Sequence, residues 1–289
     1  MPTWERSSFL SRWALYISML LLAVIMLFPF VYILAVSLSS YADVAGGRLI
    51  IFPLHPTLEA YQWILKGGTV VQGLLVSITV TLLGTAISML LTTTMAYGLS
   101  RKNVIGSKVL LWMVLLAMLL APTMITRYLV VRELHLIDTI WALVIPSAVA
   151  PFNLIVMRQF FMALPQELME SAKMDGANDL RTFWSIVLPL SKAPLAAISL
   201  FYAVGQWNSF FDAVLFINNA QLYPITIVMR QIILQGTIPA DTGVVTDVAP
   251  PDITIQMAVV VITIIPILIV YPFLQKHFAK GVLTGAIKG

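Results

Sequence analysis

Cysteine is absent from the 289 residues, histidine occurs three times and charged side chains make up only 10%. Without cysteine there is no disulfide framework, thiolate metal site or thiol nucleophile. His55, His135 and His277 stand far apart with no second ligand near them in the chain, so no metal centre is expected. The phosphate-binding pattern Gly-x4-Gly-Lys-Ser/Thr is missing, so the chain has no visible means of binding ATP. Within the apolar stretches there are no paired carboxylates and no Ser/His or His/carboxylate constellation, which argues against an intramembrane enzyme. No basic run interleaved with aromatics suggests a nucleic-acid partner, and no internal repeat or low-complexity tract divides the chain. One transmembrane domain over residues 1–289 is the simplest organisation.

What is abundant is grease. The chain is 60% hydrophobic with a mean hydropathy of +0.94, whereas soluble domains carry about 45–50% apolar and about 25% charged residues. A helix needs roughly 20 apolar residues to cross a hydrocarbon core of about 30 Å, and its backbone polar groups must be satisfied internally. Runs of that length place six spans at about Trp13 to Ser37, Gly73 to Tyr97, Lys108 to Val131, Thr139 to Met162, Leu188 to Ile217 and Ile253 to Lys276. The first could be taken for a cleaved signal peptide because Arg6 and Arg12 precede it. Its apolar stretch exceeds the roughly 7–15 residues of a signal core, so an uncleaved helix is expected.

Basic residues orient the spans, since Lys and Arg are retained on the cytoplasmic side. With both termini inside, twelve of the 17 lie in the cytoplasm, from Arg6 and Arg12 through Arg101, Lys108, Arg158, Lys173 and Arg181 to Lys288. The exported side holds five: Arg48, Lys66, Arg127, Arg132 and Arg230. The net charge of +4 is thereby explained by topology. Two longer exported segments follow, residues 38–72 and 218–252, with turn chemistry at Gly46-Gly47, Gly67-Gly68 and Pro250-Pro251. In the second, Tyr223 to Leu234 reads as an interfacial helix and Gly236 to Asp252 as a projecting polar loop. It is either a docking surface for an external partner or a solvated connector.

Between the fourth and fifth spans the chain turns charged. Leu164, Leu168 and Ala172 share one face of a helix that starts near Pro165, a residue suited to a first turn. Gly176 can take the left-handed conformation that ends such a helix. Asn178 can cap a second helix, with Asp179 in its first turn where the helix dipole favours negative charge. That second helix carries Leu180, Phe183, Trp184 and Val187 on one stripe before Leu188-Pro189 returns to the membrane.

These residues match a known pattern. Glu170-Ser171-Ala172, three residues, Gly176, nine residues, Ile186-Val187-Leu188-Pro189 resembles the EAA loop of the membrane subunits of bacterial ABC importers: Glu-Ala-Ala-x3-Gly-x9-Ile-x-Leu-Pro. Ser171 stands where the pattern has Ala. Trp207-Asn208-Ser209-Phe210 is similar to a Trp-Asn-x-Phe stretch of sugar permeases, and the tail from Gly281 to Gly289 resembles that of the smaller maltose-type permease. Where that family continues towards a Pro-Leu pair, this chain has Asp212-Ala213-Val214. With Tyr271 to Lys276, that departure resembles the subgroup handling oligosaccharides, which includes permeases similar to the alginate importer.

The resemblance implies an all-α polytopic protein: about six transmembrane helices of the type I ABC importer permease fold, with a cytoplasmic coupling helix inside residues 163–189. It also implies a bacterial cytoplasmic (inner) membrane location and an importer of two homologous permeases, two ATP-binding subunits and an extracytoplasmic solute-binding protein. ATP and Mg would then sit on the partner subunits, and this chain would bind no cofactor. Glu170, Ser171, Ala172, Asp175, Gly176, Ile186, Leu188 and Pro189 would form the coupling element, and residues 218–252 would meet the solute-binding protein. A permease for a non-sugar solute would share the coupling loop. An ion-coupled secondary transporter would need ionisable groups inside its spans, which apart from Asp212 are scarce.

Two expectations about mechanism follow. Shifting an inward/outward equilibrium from 1:99 to 99:1 takes about 5.5 kcal/mol, while an exposed ion pair supplies roughly 0–1 kcal/mol. Apolar seating of Leu168, Ala172 or Met174 in a partner groove, rather than the charges of Glu167, Glu170 and Lys173, should therefore carry the coupling. A sugar path wants hydrogen-bonding groups beside aromatic rings, and the fifth span offers Tyr202, Gln206, Trp207, Asn208 and Asp212. Asn153, Arg158, Thr123 and Arg127 are further pore candidates, although the two arginines are expected to snorkel to the interfaces.

Overall fold

The structure, a computed structural model, describes residues 9–46, 51–101, 104–120, 122–235 and 252–286. Residues 236–251 of the expected projecting loop, Arg6, Arg48, Lys102 and the last three residues of the tail lie outside them. The chain divides into two compact units, one of residues 1–70, 229–238 and 244–264 and the other of residues 71–228, 239–243 and 265–289.

In the first unit α1 (Phe9–Ser37) runs for 29 residues through Pro29. Its apolar side chains from Trp13 to Phe30 are exposed almost without exception, as expected of a helix whose partners are lipid or another subunit. Only its end is covered, where Ala35 and Val36 are buried against Tyr32, Val44 and Met257. The segment after α1 folds back over that end as α2 (Tyr41–Ala45) and α3 (Glu59–Gly67). Thr57 N–H donates to the Leu38 carbonyl at 2.8 Å, and the Ser37 and Tyr61 hydroxyls bond at 2.8 Å. Ser40 caps α2, and the Asp43 carboxylate meets the His55 ring at 3.1 Å.

The second unit is organised along α4 (Thr69–Ser100), whose 32 residues extend about 48 Å at 1.5 Å per residue. Two separate cores form on it. Towards its start, Val76 and Val80 join Leu143, Val144, Phe216 and Ile227. Some 16 residues on, roughly 24 Å further along, Ala96 and Leu99 join Leu154, Met157, Phe161, Phe183 and Val187. The ends of the other elements sort accordingly. Gln72 Nε2 donates to the Gln221 carbonyl at 3.1 Å and Ile225 N–H to Ser77 Oγ at 2.9 Å at the first end. Arg158 Nε donates to the Leu99 carbonyl at 2.9 Å at the second. Segments assigned by charge to opposite sides of the membrane thus cluster at opposite ends of one helix.

Helices long and apolar enough to cross a membrane number three among the described residues: Trp13–Ser37, Thr69–Ser100 and Ile253–Val270, the last within α15 (Ile253–Ala286). The other three expected spans are broken, the third and fourth beside prolines. The third becomes α5 (Ser107–Leu119) and α6 (Met124–Glu133) on either side of Pro122. At 13 residues α5 reaches only about 20 Å. The fourth is α7 (Trp141–Val144) with a 3₁₀ turn to Ser147, then α8 (Pro151–Met162), bent by 52° between Pro146 and Pro151. The fifth bends by 85° at Ser191 and breaks again at Asn208-Ser209.

Candidate coupling surface and substrate path

The charged segment is a helix, a turn and a helix. α9 (Gln166–Met174) follows Pro165, and Gly176 at φ +77° closes it. Gly176 N–H donates to the Lys173 carbonyl at 3.0 Å and Ala177 N–H to Ala172 at 2.9 Å, the paired bonds of a Schellman ending. Asn178 Oδ1 then accepts from Arg181 N–H at 2.8 Å and caps α10 (Asp179–Thr182). From Phe183 to Val187 the helix widens to a π turn, with Leu188 N–H reaching the Phe183 carbonyl, before α11 (Leu188–Leu190). Pro189 lacks an N–H and its ring would crowd the Ser185 carbonyl, so the wider turn upstream relieves a conflict that the motif itself creates.

Burial separates the motif residues into two sets. Met169 packs inward with Phe161, Phe183 and Val187, and Ala172, only 6% exposed, is buried within the protein's own fold rather than free for a partner groove. Glu170, Ser171, Asp175 and Gly176 are exposed, and Ile186 and Leu188 are half-buried. The stripe expected on the second helix is divided by the π turn: Phe183 and Val187 face in, while Leu180 and Trp184 face out. Met174 at 88% exposure, Leu180 at 70%, Trp184 at 58% and Leu168 at 43% then form an apolar set on the outside of the hairpin. Leu180 and Trp184 were not singled out for contact from sequence, because periodicity alone does not reveal where a helix changes its winding.

The fifth-span residues occupy three environments. On α12 (Lys192–Trp207), Tyr202 is buried with its hydroxyl bonded to Thr92 Oγ1 at 2.6 Å and to Ala150 N–H at 3.0 Å, so it positions helices. Gln206 is buried against α4, where a Cβ on Gly84 would lie 2.6 Å from its Cδ. Its Nε2 donates to Ser147 Oγ at 2.9 Å, and its Oε1 accepts nothing from the described residues. Trp207 is buried and lines an apolar cavity of about 290 Å³ with Val204, Pro266 and Val270. Asn208 is exposed and its amide returns to the Val204 carbonyl at 2.9 Å.

Asp212 lies on α13 (Phe210–Phe216) and is paired. Arg127 on α6 grips it through both nitrogens, at 2.9 and 3.0 Å, with 29% and 19% of the two side chains exposed. Arg127, expected near an interface, fastens two broken spans with the planar fork that suits a carboxylate. Thr123 caps α6, Asn153 is buried, and Arg158 bonds backbone. Nearby, Asp138 at φ +59° donates its N–H to the Phe216 carbonyl at 2.9 Å. Its carboxylate accepts from the Asn218 N–H, the Asn219 N–H at 2.9 Å and the Asn218 amide at 3.2 Å. These donors, led by the Asn218 backbone and opposed by burial, hold the carboxyl below the usual range.

Known proteins carry the same architecture. Residues 6–284 match the family described as binding-protein-dependent transport system inner membrane component. The chain is 47% identical over 266 residues to Protein LplC of Bacillus subtilis (strain 168), covering 92% of this chain and 90% of that one. It is 44% identical over 282 residues to the polygalacturonan/rhamnogalacturonan transport system permease protein YtcP of the same organism, covering 95% and 97%. Among solved structures, a chain of a bacterial ABC transporter involved in the import of the acidic polysaccharide alginate superposes with a TM-score of 0.86 at 30% identity, over 96% of this chain and all of that one. The all-α type I importer permease fold expected from the motif is the fold found. By family match and by kinship, this chain belongs to the binding-protein-dependent transport system inner membrane components, the permease subunits of ABC importers.

Proposed function

We propose that this permease is one of two homologous membrane subunits that import an oligosaccharide, with both termini in the cytoplasm. Two ATP-binding subunits, carrying ATP and Mg, dock on residues 163–189, and an extracytoplasmic solute-binding protein docks on residues 218–252. Uronate-containing chains are the first candidates, because the names of YtcP and of the matched alginate transporter both refer to acidic polysaccharides.

The observation that carries the coupling role is the outward apolar set of Met174, Leu180, Trp184 and Leu168 on a hairpin held rigid by the Gly176 turn and the Asn178 cap. Burying one such side chain contributes about 1.5–3 kcal/mol, so two or three seated in a groove supply the roughly 5.5 kcal/mol that a full switch of state requires. For the path, the exposed Asn208 is the polar group that sugar hydroxyls would engage, while the buried Gln206 and Trp207 hold α12 against its neighbours. Tyr202 and the Arg127–Asp212 pair hold those helices in place.

The test is uptake of labelled oligogalacturonides into proteoliposomes containing the whole complex with its solute-binding protein. Uptake should require internal ATP and the binding protein. Uptake driven by an ion gradient without ATP would refute the assignment.

A further inference from the structure

Beneath the coupling hairpin, at the end of α4, lies an arginine that the motif does not contain. Arg101 sits with its guanidinium carbon 4.4 Å above the ring of Tyr97, one helical turn earlier, and its Nη2 donates to the Tyr97 hydroxyl. The same nitrogen contacts Met169 Sδ on α9 at 3.6 Å. Tyr97 in turn donates its hydroxyl to the Asp179 carbonyl, the first residue of α10, at 3.1 Å. Its ring packs on Phe183 at 5.0 Å between centroids and edge-on to Phe161 at 6.5 Å. Tyr97, in the last turns of α4, and Arg101, just beyond its end, thus touch both helices of the hairpin and the end of α8.

Charge retention on one side of the membrane asks only for a cation near this end, not for a half-buried one in this geometry. Among the described residues no carboxylate pairs with Arg101, and its Nε, shut off from solvent, has no partner. An ordinary packing role would be served better by an apolar side chain of similar reach, which would leave no donor unsatisfied. The planar guanidinium does what an apolar chain cannot. It stacks on the tyrosine face while bonding its edge, fixing the hydroxyl that holds α10.

We propose that Arg101 and Tyr97 are positioning residues for coupling, joining the α9–α10 hairpin to α4 so that the hairpin's displacement moves α4 rather than deforming the hairpin. The inference rests on the coupling role given above to residues 163–189. The residues act through the hairpin and touch neither ATP nor substrate.

The experiment uses the reconstituted importer with its binding protein and measures substrate moved per ATP hydrolysed, with co-purification of the ATP-binding subunits measured in parallel. Arg101→Gln should leave assembly and hydrolysis in place and lower transport per ATP by about tenfold, inside the roughly 5–150-fold span of allosteric couplings. Tyr97→Phe, which keeps the ring and loses the bond to Asp179, should give a smaller loss. The double variant should be no worse than Arg101→Gln, and Arg101→Lys should recover part of the ratio by keeping a cation over the ring. An unchanged ratio in Arg101→Gln would overturn the proposal, as would a fall in assembly that accounts for the whole loss of transport. If the wild-type importer itself shows no binding-protein-stimulated hydrolysis, the parent assignment of the hairpin fails instead.

Discussion

Arg127 and Asp212 form a half-buried ion pair that ties α6 to α13 and so acts as an architectural element. Both side chains are under a third exposed, so the pair falls between exposed pairs worth about 0–1 kcal/mol and buried ones whose disruption costs about 3–5 kcal/mol. Asp212→Asn should therefore destabilise the protein by roughly 1–3 kcal/mol in detergent. Exchanging the two residues should recover part of that loss, read by thermal unfolding. Asp138 gives a pH-dependent counterpart. Its folded-state pKa lies below the ordinary value, so its stabilisation is fully present above about pH 4 and is lost as pH falls through the folded value. Acid should loosen the bonds to Asn218 and Asn219 in the wild type, and Asp138→Asn should flatten that acid limb. Gly84 is a steric case: a methyl there meets Gln206 at 2.6 Å. Gly84→Ala should cost about 1–3 kcal/mol, and adding Gln206→Ala should relieve it.

Elements were legible in the sequence where a local rule decides them. The Pro165 start, the Gly176 turn and the Asn178 cap of the hairpin appear where residue chemistry puts them, because each is set by one or two backbone angles and a short hydrogen bond. Continuity of the spans was less legible. Hydropathy averages over a window, so it cannot register the breaks near Pro122, Ser191 and Asn208. For the same reason the π turn over Phe183 to Val187 was missed, and with it the separation of Leu180 and Trp184 from their stripe partners. The partner of Asp212 lies 85 residues away in the chain, beyond any periodicity argument. At this scale the Gly176 turn makes a direct prediction. Nothing lies within 4 Å of where a Cβ would be, so the cost of substitution is conformational alone. Gly176→Ala should cost about 1–2 kcal/mol locally, and Gly176→Val more, measured as faster amide exchange over residues 166–182.

Over the whole chain, α4 joins an end bearing Gln72 and Ser77, bonded to Gln221 and Ile225, to an end beside Tyr97 and Arg101, bonded to the hairpin of residues 166–182. The exposed apolar face of α1 and the outward set on the hairpin both await other surfaces, consistent with a subunit that works inside a larger assembly. In the function proposed for this chain, a rigid hairpin seated by apolar contact converts closure of the ATP-binding subunits into a change of access. The most direct measurement of that conversion is the amount of oligosaccharide translocated per ATP hydrolysed by the reconstituted importer carrying Trp184→Ala together with Leu180→Ala. The account predicts continued hydrolysis, intact docking of the solute-binding protein and a translocation ratio lowered at least tenfold, the equivalent of about 1.4 kcal/mol. A ratio equal to that of the wild type would contradict it.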